Sequence, residues 1–380
     1  MTAVSIFENA HIVTADDVFS GYVVVDHGVI REIGQGRAPE RGVDLKGDYL
    51  IPGLIELHTD HLEIHFMPRP KVEWPALSAV IAHDAQVAGS GITTVFDALR
   101  VGNDYDDEKF GSRMKKLAAA IAAAKEAGVT RADHFIHLRC EIACSDVVEE
   151  MEPFLTDPNL KLVSIMDHTP GQRQFTDVPK WKQYYAGKRG ASDEQLNDII
   201  ARRLKVFAQF ADQNRSDIVE KCRFAGISLA SHDDATLSHV DEAVRDGMSI
   251  AEFPTTVEAA FASHEAGLKV LMGAPNVVRG GSHSGNVAAR DLAEAGLLDV
   301  LSSDYVPASL LMGAFALRDV KALGGLAGAI RLVTRNPAEA TGLEDRGEIA
   351  AGKRADLVRV AFSGDQAVVR GVWREGARVS

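Results

Sequence analysis

The stretch Leu50-Ile-Pro-Gly-Leu-Ile-Glu-Leu-His-Thr-Asp-His61 decides the architecture. Its apolar run from Leu54 to Leu57 reads as a strand that runs out into His58, Thr59 and Asp60. Strand side chains alternate between faces, so His58 and Asp60 point the same way. An imidazole and a carboxylate on one face at a strand's end make half of a site for a divalent cation such as zinc.

Outward from this strand one pattern recurs, a helix ending at glycine and then a buried strand. It occurs at Gly91–Asp97, Gly226–His232, Gly247–Phe253, Gly267–Gly273 and Gly296–Asp304. Glycine just past a helix accepts the left-handed conformation that ends it. His134–Glu141 and Lys161–His168 are two more strands, and helical segments are expected at 112–127, 235–245, 256–266 and 287–295. Near-continuous apolar strands alternating with helices indicate a parallel sheet. Eight of them predict a distorted (β/α)8 TIM barrel over residues 50–345. Residues 1–49 and 346–380 are rich in short β-runs and predict a small β-sandwich domain built from both termini. The connections 61–77 and 169–224 exceed a plain crossover and read as long substrate-recognition loops.

At 380 residues the chain is long enough for one large domain or two. No apolar run approaches the ~20 residues of a membrane span, and no basic segment precedes an apolar one at the N-terminus, so no signal peptide is expected. Cys140, Cys144 and Cys222 make no pairing framework, which suits the cytoplasm. A net charge of −13 argues against nucleic-acid or anionic-membrane partners. It leaves a small anionic substrate open, because local cations or bound metals reverse the sign inside a pocket. A homodimer is compatible with the sequence, which does not itself specify an oligomeric state.

The strands end in His58 and Asp60, Glu141, His168, His232 and Asp304, the face on which barrel active sites lie. Three imidazoles and three carboxylates suit two divalent ions sharing a bridging carboxylate, here assigned to Glu141. Zinc is the expected metal, and manganese or iron also suits such mixed ligands. Asp304 is placed to bind one ion and to take the proton of an activated water. A lone histidine at a strand end is commonly just hydrogen-bonded, and a lone aspartate is commonly the next helix's N-cap, as Asp233 or Asp234 would be. Six metal-competent side chains at one rim outweigh those readings. His61, Glu63 and His65 follow immediately and are assigned to a solvated loop outside the site.

Pro52–Asp60 resembles the first-strand signature of the amidohydrolase superfamily, and Asn336–Leu343 with Gly347-Glu-Ile, Gly352-Lys-Arg and Ala355–Val358 resembles its C-terminal return. The chain departs from the common pattern in having Asp60 where a second histidine is usual and no evident carboxylated lysine. The resemblance then implies Glu141 as the bridge, as in the subgroup with His-x-Asp. The longer blocks Phe66–Pro75, Asp167–Phe175, Ala230–Thr236, Ala251–Thr256 and Met272–Asn286 are similar to the superfamily's phosphonate-metabolism family, the diphosphatases of the carbon–phosphorus lyase pathway. That resemblance implies hydrolysis of a ribosyl 1-methylphosphonate 5-triphosphate to the 5-phosphate, with release of diphosphate.

Cations in the loops after strands fit such a substrate: Arg69, Lys71, Arg139, Arg173 and Arg279 are assigned to it, since guanidinium binds phosphate oxygens bidentately. Gly280–Asn286, including His283, offers backbone N–H groups ahead of a helix. His283 is assigned to substrate binding, with a share in protonating the leaving group. The alternative is hydrolysis of a C–N bond in a small substrate, for which the same metals and aspartate would serve. A non-catalytic scaffold is the third reading, and the retention of all six ligand positions speaks against it.

Overall fold

The computed structural model describes residues 4–102, 110–173, 178–179, 181–182, 192–282 and 285–380. Two sheets organise them. The first is formed by β1 (Ser5–Val13), β2 (Val18–Asp26), β3 (Val29–Gln35), β4 (Val43–Asp44) and β5 (Tyr49–Pro52). The second holds β6 (Leu54–Thr59), β7 (Ile92–Val101), β8 (Asp133–Glu141), β9 (Leu160–Met166), β10 (Ser228–His232), β11 (Ile250–Glu252), β12 (Lys269–Gly273) and β13 (Val300–Ser302). The chain then returns to the first sheet as β14 (Leu357–Ser363), β15 (Gln366–Arg374) and β16 (Ala377–Arg378).

The terminal sheet runs β16-β15-β14-β5-β1-β2-β3, with β4 beside β1. Both termini therefore build it, through the antiparallel β14–β5 pair. Alternating apolar positions on these strands meet in a core of Phe7, Ile12, Val23, Ile30, Leu50, Leu357 and Trp373, as the period of two in a strand requires. At the junction with the second sheet, Gly53 donates its N–H to the Asp356 carbonyl at 2.8 Å. A Cβ there would overlap the side chains of Thr93 and Asp356.

The second sheet is the expected barrel: eight strands in sequence order, parallel wherever register is resolved. It nearly closes, through an isolated parallel bridge between Thr59 and Asp304. By proximity the chain divides into two units, Met1–Asp97 with Ala119–Phe135 and Leu271–Ser380, and Ala98–Ala118 with Ile136–Val270. Each carries its own share of strand ends.

Two connections differ from expectation. Most of 169–224 is not loop, because Asp193–Ala225 is one helix of 33 residues. A reciprocal capping box between Ser192 and Gln195 starts it, and Gly226 at φ 68° ends it. Ala211, Arg215, Ile218 and Cys222 are buried along its length at helical spacing. In 61–77, Leu62–Phe66 is a short helix that buries both of its end residues. A turn with apolar side chains four apart presents one apolar face, which overrides the solvated-loop reading.

Candidate active site

In the first unit, β6 and β13 hold three of the expected ligands on one hydrogen-bonded rim. Ser302 donates its hydroxyl to the His58 carbonyl at 2.7 Å, and the Asp304 N–H donates to the same carbonyl at 3.2 Å. Thr59 Oγ1 donates to the Asp304 carbonyl at 2.7 Å, and Asp60 N–H reaches that oxygen at 3.3 Å. Asp304 leaves the strand at φ 55°, a left-handed conformation that costs free energy in a non-glycine residue and tends to be kept where function needs it. His58 is buried, while Asp60 and Asp304 are half-buried. Beneath them Glu56 is fully buried and accepts from the His58 N–H at 2.7 Å. Burial raises the Glu56 carboxyl to about 7 against the pull of its Ser303 and His58 hydrogen bonds.

In the second unit, β8 and β9 bring Glu141 and Met166 level, and His168 stands two residues beyond. His168 Nδ1 lies 2.6 Å from Glu141 Oε2, and Arg100 is 3.6 Å from the same oxygen. Burial alone would raise the Glu141 carboxyl, but the His168 ring and Arg100 outweigh it and hold it at about 2. On β10 and β11, His232 is level with Glu252, whose Oε2 lies 3.1 Å from His232 Nδ1. That carboxylate orients the ring and leaves Nε2 as the outward nitrogen.

One residue here was not anticipated as a ligand. Asp233 directly follows β10 at φ 57°, and its N–H donates to the Glu252 carbonyl at 2.9 Å. Its Oδ2 is buried without a hydrogen-bond partner among the described residues. That oxygen lies 3.5 Å from His232 Nε2 and 3.9 Å from His168 Nε2. Such separations are long for hydrogen bonds but suit donors arranged around one ion. The orphaned oxygen between two imidazole nitrogens is the local evidence that these residues fit a divalent metal, and His168, His232 and Asp233 form a metal-competent group. Asp233 is not the helix N-cap, since Thr236 accepts the His239 N–H in that role.

Of the expected substrate cations, Arg69, Lys71 and Arg279 are exposed and Arg139 is half-buried on β8. Arg173 is buried instead, ion-paired with Asp234 and at 2.6 Å with Glu242. His283 lies outside the described residues. The helix beyond it, Ala289–Glu294, is shorter than the segment expected, and its first N–H is taken by the Asn276 side chain at 3.0 Å. The three cysteines are buried and form no disulfide with one another. No helix among the described residues is long and apolar enough to cross a membrane.

Residues 205–380 match the model of the amidohydrolase family Amidohydro_3. The chain is 48% identical, over 98% of its own length and all of the relative's, to alpha-D-ribose 1-methylphosphonate 5-triphosphate diphosphatase of Escherichia coli strain K12. Among solved structures it is similar to N-acetyl-D-glucosamine-6-phosphate deacetylase from Mycobacterium smegmatis, with a TM-score of 0.65 and 16% identity over the whole of both chains. A 5-methylcytosine deaminase from Klebsiella pneumoniae gives a TM-score of 0.66 at 15% identity, over 99% of this chain and 98% of that one. At those identities the two structures speak for the fold alone.

Proposed function

This chain belongs to the amidohydrolase superfamily, in one family with the Escherichia coli diphosphatase, and we propose that it catalyses the same hydrolysis in phosphonate breakdown. Its substrate is alpha-D-ribose 1-methylphosphonate 5-triphosphate and its products are the 5-phosphate and diphosphate. The observation that carries the reading is the 48% identity running end to end rather than through a shared motif.

Two divalent ions, zinc first, suit the donor set of His58, Asp60, Glu141, His168, His232 and Asp304, and the orphaned Asp233 oxygen adds a seventh donor. When bound, such ions supply Lewis-acid charge neutralisation and lower the pKa of a nearby water. The protein's own part is to position and to move a proton. The Asp304 carboxylate takes the proton of the attacking water as its oxygen bonds to phosphorus. The bond to the bridging oxygen breaks, and diphosphate leaves with its charge met by guanidinium groups. Arg69, Lys71, Arg139 and Arg279 are assigned to the triphosphate, together with His283, which also serves the leaving group. Arg173 already has both terminal nitrogens on carboxylates, so its contribution is to fix the loop after β9. The enzyme is assigned to the cytoplasm, and a homodimer is compatible with the reading.

Phosphorus NMR of the products formed from the ribosyl triphosphate in oxygen-18 water tests the reaction. Equimolar diphosphate and 5-phosphate, with the label in the 5-phosphate, supports it. Release of ammonia from amide substrates with the triphosphate untouched would contradict it.

A further inference from the structure

The residues just beyond the first barrel strand hold a second constellation that hydrolysis does not use. His61 has helical backbone angles, φ −60° and ψ −23°, at the start of the Leu62–Phe66 helix. His65 therefore lies on the same helix face, four residues on. The third member, His83, is fully buried in the helix Ala76–Gly89. The three rings stack edge to face or tilted, with centroids 4.9 Å apart for His61–His65, 5.5 Å for His61–His83 and 6.0 Å for His65–His83. One ring nitrogen of each lies within 4.8 Å of the others.

We propose that His61, His65 and His83 form a further metal site, one that takes a divalent ion of the zinc class and uses none of the ligands assigned to hydrolysis. Three observations converge on it. His61 Nδ1 and His83 Nδ1 are 3.3 Å apart. Two nitrogens at 2.0–2.1 Å from a tetrahedral zinc are separated by about 3.3 Å, so the rings already stand at ligand spacing. His65 Nε2 is buried and has no hydrogen-bond partner among the described residues, an unmet lone pair or N–H whose cost a metal bond removes. His83 Nε2 is held at 2.8 Å by the Asp97 carboxylate, which is itself held at 2.7 Å by His134 Nδ1. That is the carboxylate–histidine arrangement that fixes the tautomer and ring orientation of a metal-binding histidine and turns Nδ1 toward the ion.

Three imidazoles without a carboxylate or thiolate favour zinc, cobalt, nickel or copper over magnesium or calcium. A fourth position would be filled by water. An ion there ties the turn after β6 to the helix Ala76–Gly89 and so anchors the chain that leaves His58 and Asp60. Its role is structural.

The test is zinc binding by the full-length protein, counted by elemental analysis after equilibration with a limiting chelator, for wild type and His65→Ala. The site predicts one more equivalent per chain in wild type, and a larger rise of the thermal midpoint with zinc than the variant shows. Equal stoichiometry in two folded proteins overturns it. Should His65→Ala fail to fold, wild-type crystals soaked in zinc and measured at the zinc edge decide the matter. An anomalous peak bonded to the three nitrogens supports the site, and a vacant trio beside occupied ions elsewhere overturns it.

Discussion

Asp304 donates its backbone N–H to the His58 carbonyl at 3.2 Å, so the proposed base and the first proposed ligand are joined through main chain rather than through the side chains that do chemistry. The same carbonyl accepts the Ser302 hydroxyl, and Thr59 Oγ1 grips the Asp304 carbonyl in return. A side-chain change at 304 therefore leaves the rim standing.

Asp304→Asn separates chemistry from structure for that reason. Asparagine tolerates the left-handed conformation, so folding and thermal midpoint are expected to stay near wild type. Turnover is expected to fall by about 10²–10⁴-fold, the usual worth of a positioned proton acceptor. Steady-state kinetics beside a thermal melt checks both, and near-normal turnover would remove Asp304 from its role.

Asp233→Asn probes the oxygen left without a partner. The amide keeps the size and the tolerance of φ 57° but loses the charge. Metal affinity, read by competition with a chromogenic chelator, is expected to drop at least ~10-fold, by analogy with groups that support metal ligands. Unchanged affinity would make the orphaned oxygen incidental.

Arg173→Ala should act on stability more than on substrate affinity. It leaves Asp234 buried without its cation, and breaking a buried pair from one side costs about 3–5 kcal/mol. Urea unfolding should show a loss of that order. A raised KM with unchanged stability would return Arg173 to the substrate.

The His134 network gives stability a pH dependence. His134 is fully buried between Asp97 and Asp84, at 2.7 and 3.3 Å. Burial pushes its pKa down, yet the two carboxylates outweigh burial and raise it to about 9. A histidine whose folded pKa exceeds its unfolded value contributes stability that is complete below about 6.5 and lost as pH rises through 9. The loss is up to about 3 kcal/mol, an upper bound because Asp97 shares the attraction. Asp84 and Asp97 are both held below the usual carboxylate range, so on the acid side their contribution is lost as pH falls below about 4. Urea melts at pH 6.5 and 9.5 should differ for wild type and converge for His134→Gln, and a flat wild-type profile would refute the assignment.

Much of this was legible in the chain. The glycine-then-strand pattern marks five of the eight barrel strands, and apolar runs alone mark the other three, because a buried parallel strand must be apolar on both faces. The polar residue that ends each run then stands out, as His58, His168, His232 and Asp304 do. Asp233 was hidden by its neighbour, since an aspartate between a strand and a helix reads as a cap until Thr236 is seen in that place. The His83–Asp97–His134 chain joins residues up to 51 apart in sequence, from a helix and two strands, and no local spacing announces it. Arg173 looked like a phosphate ligand because its partners Asp234 and Glu242 lie some 60 residues later.

The most direct measurement is diphosphate release from the ribosyl triphosphate before and after stripping the protein with a chelator. The expected result is loss of activity on stripping and recovery on adding zinc or manganese, with no recovery in Asp304→Asn. Full-rate diphosphate release by protein shown by elemental analysis to be metal-free would contradict the claim that these histidines and carboxylates serve a metal-dependent hydrolysis.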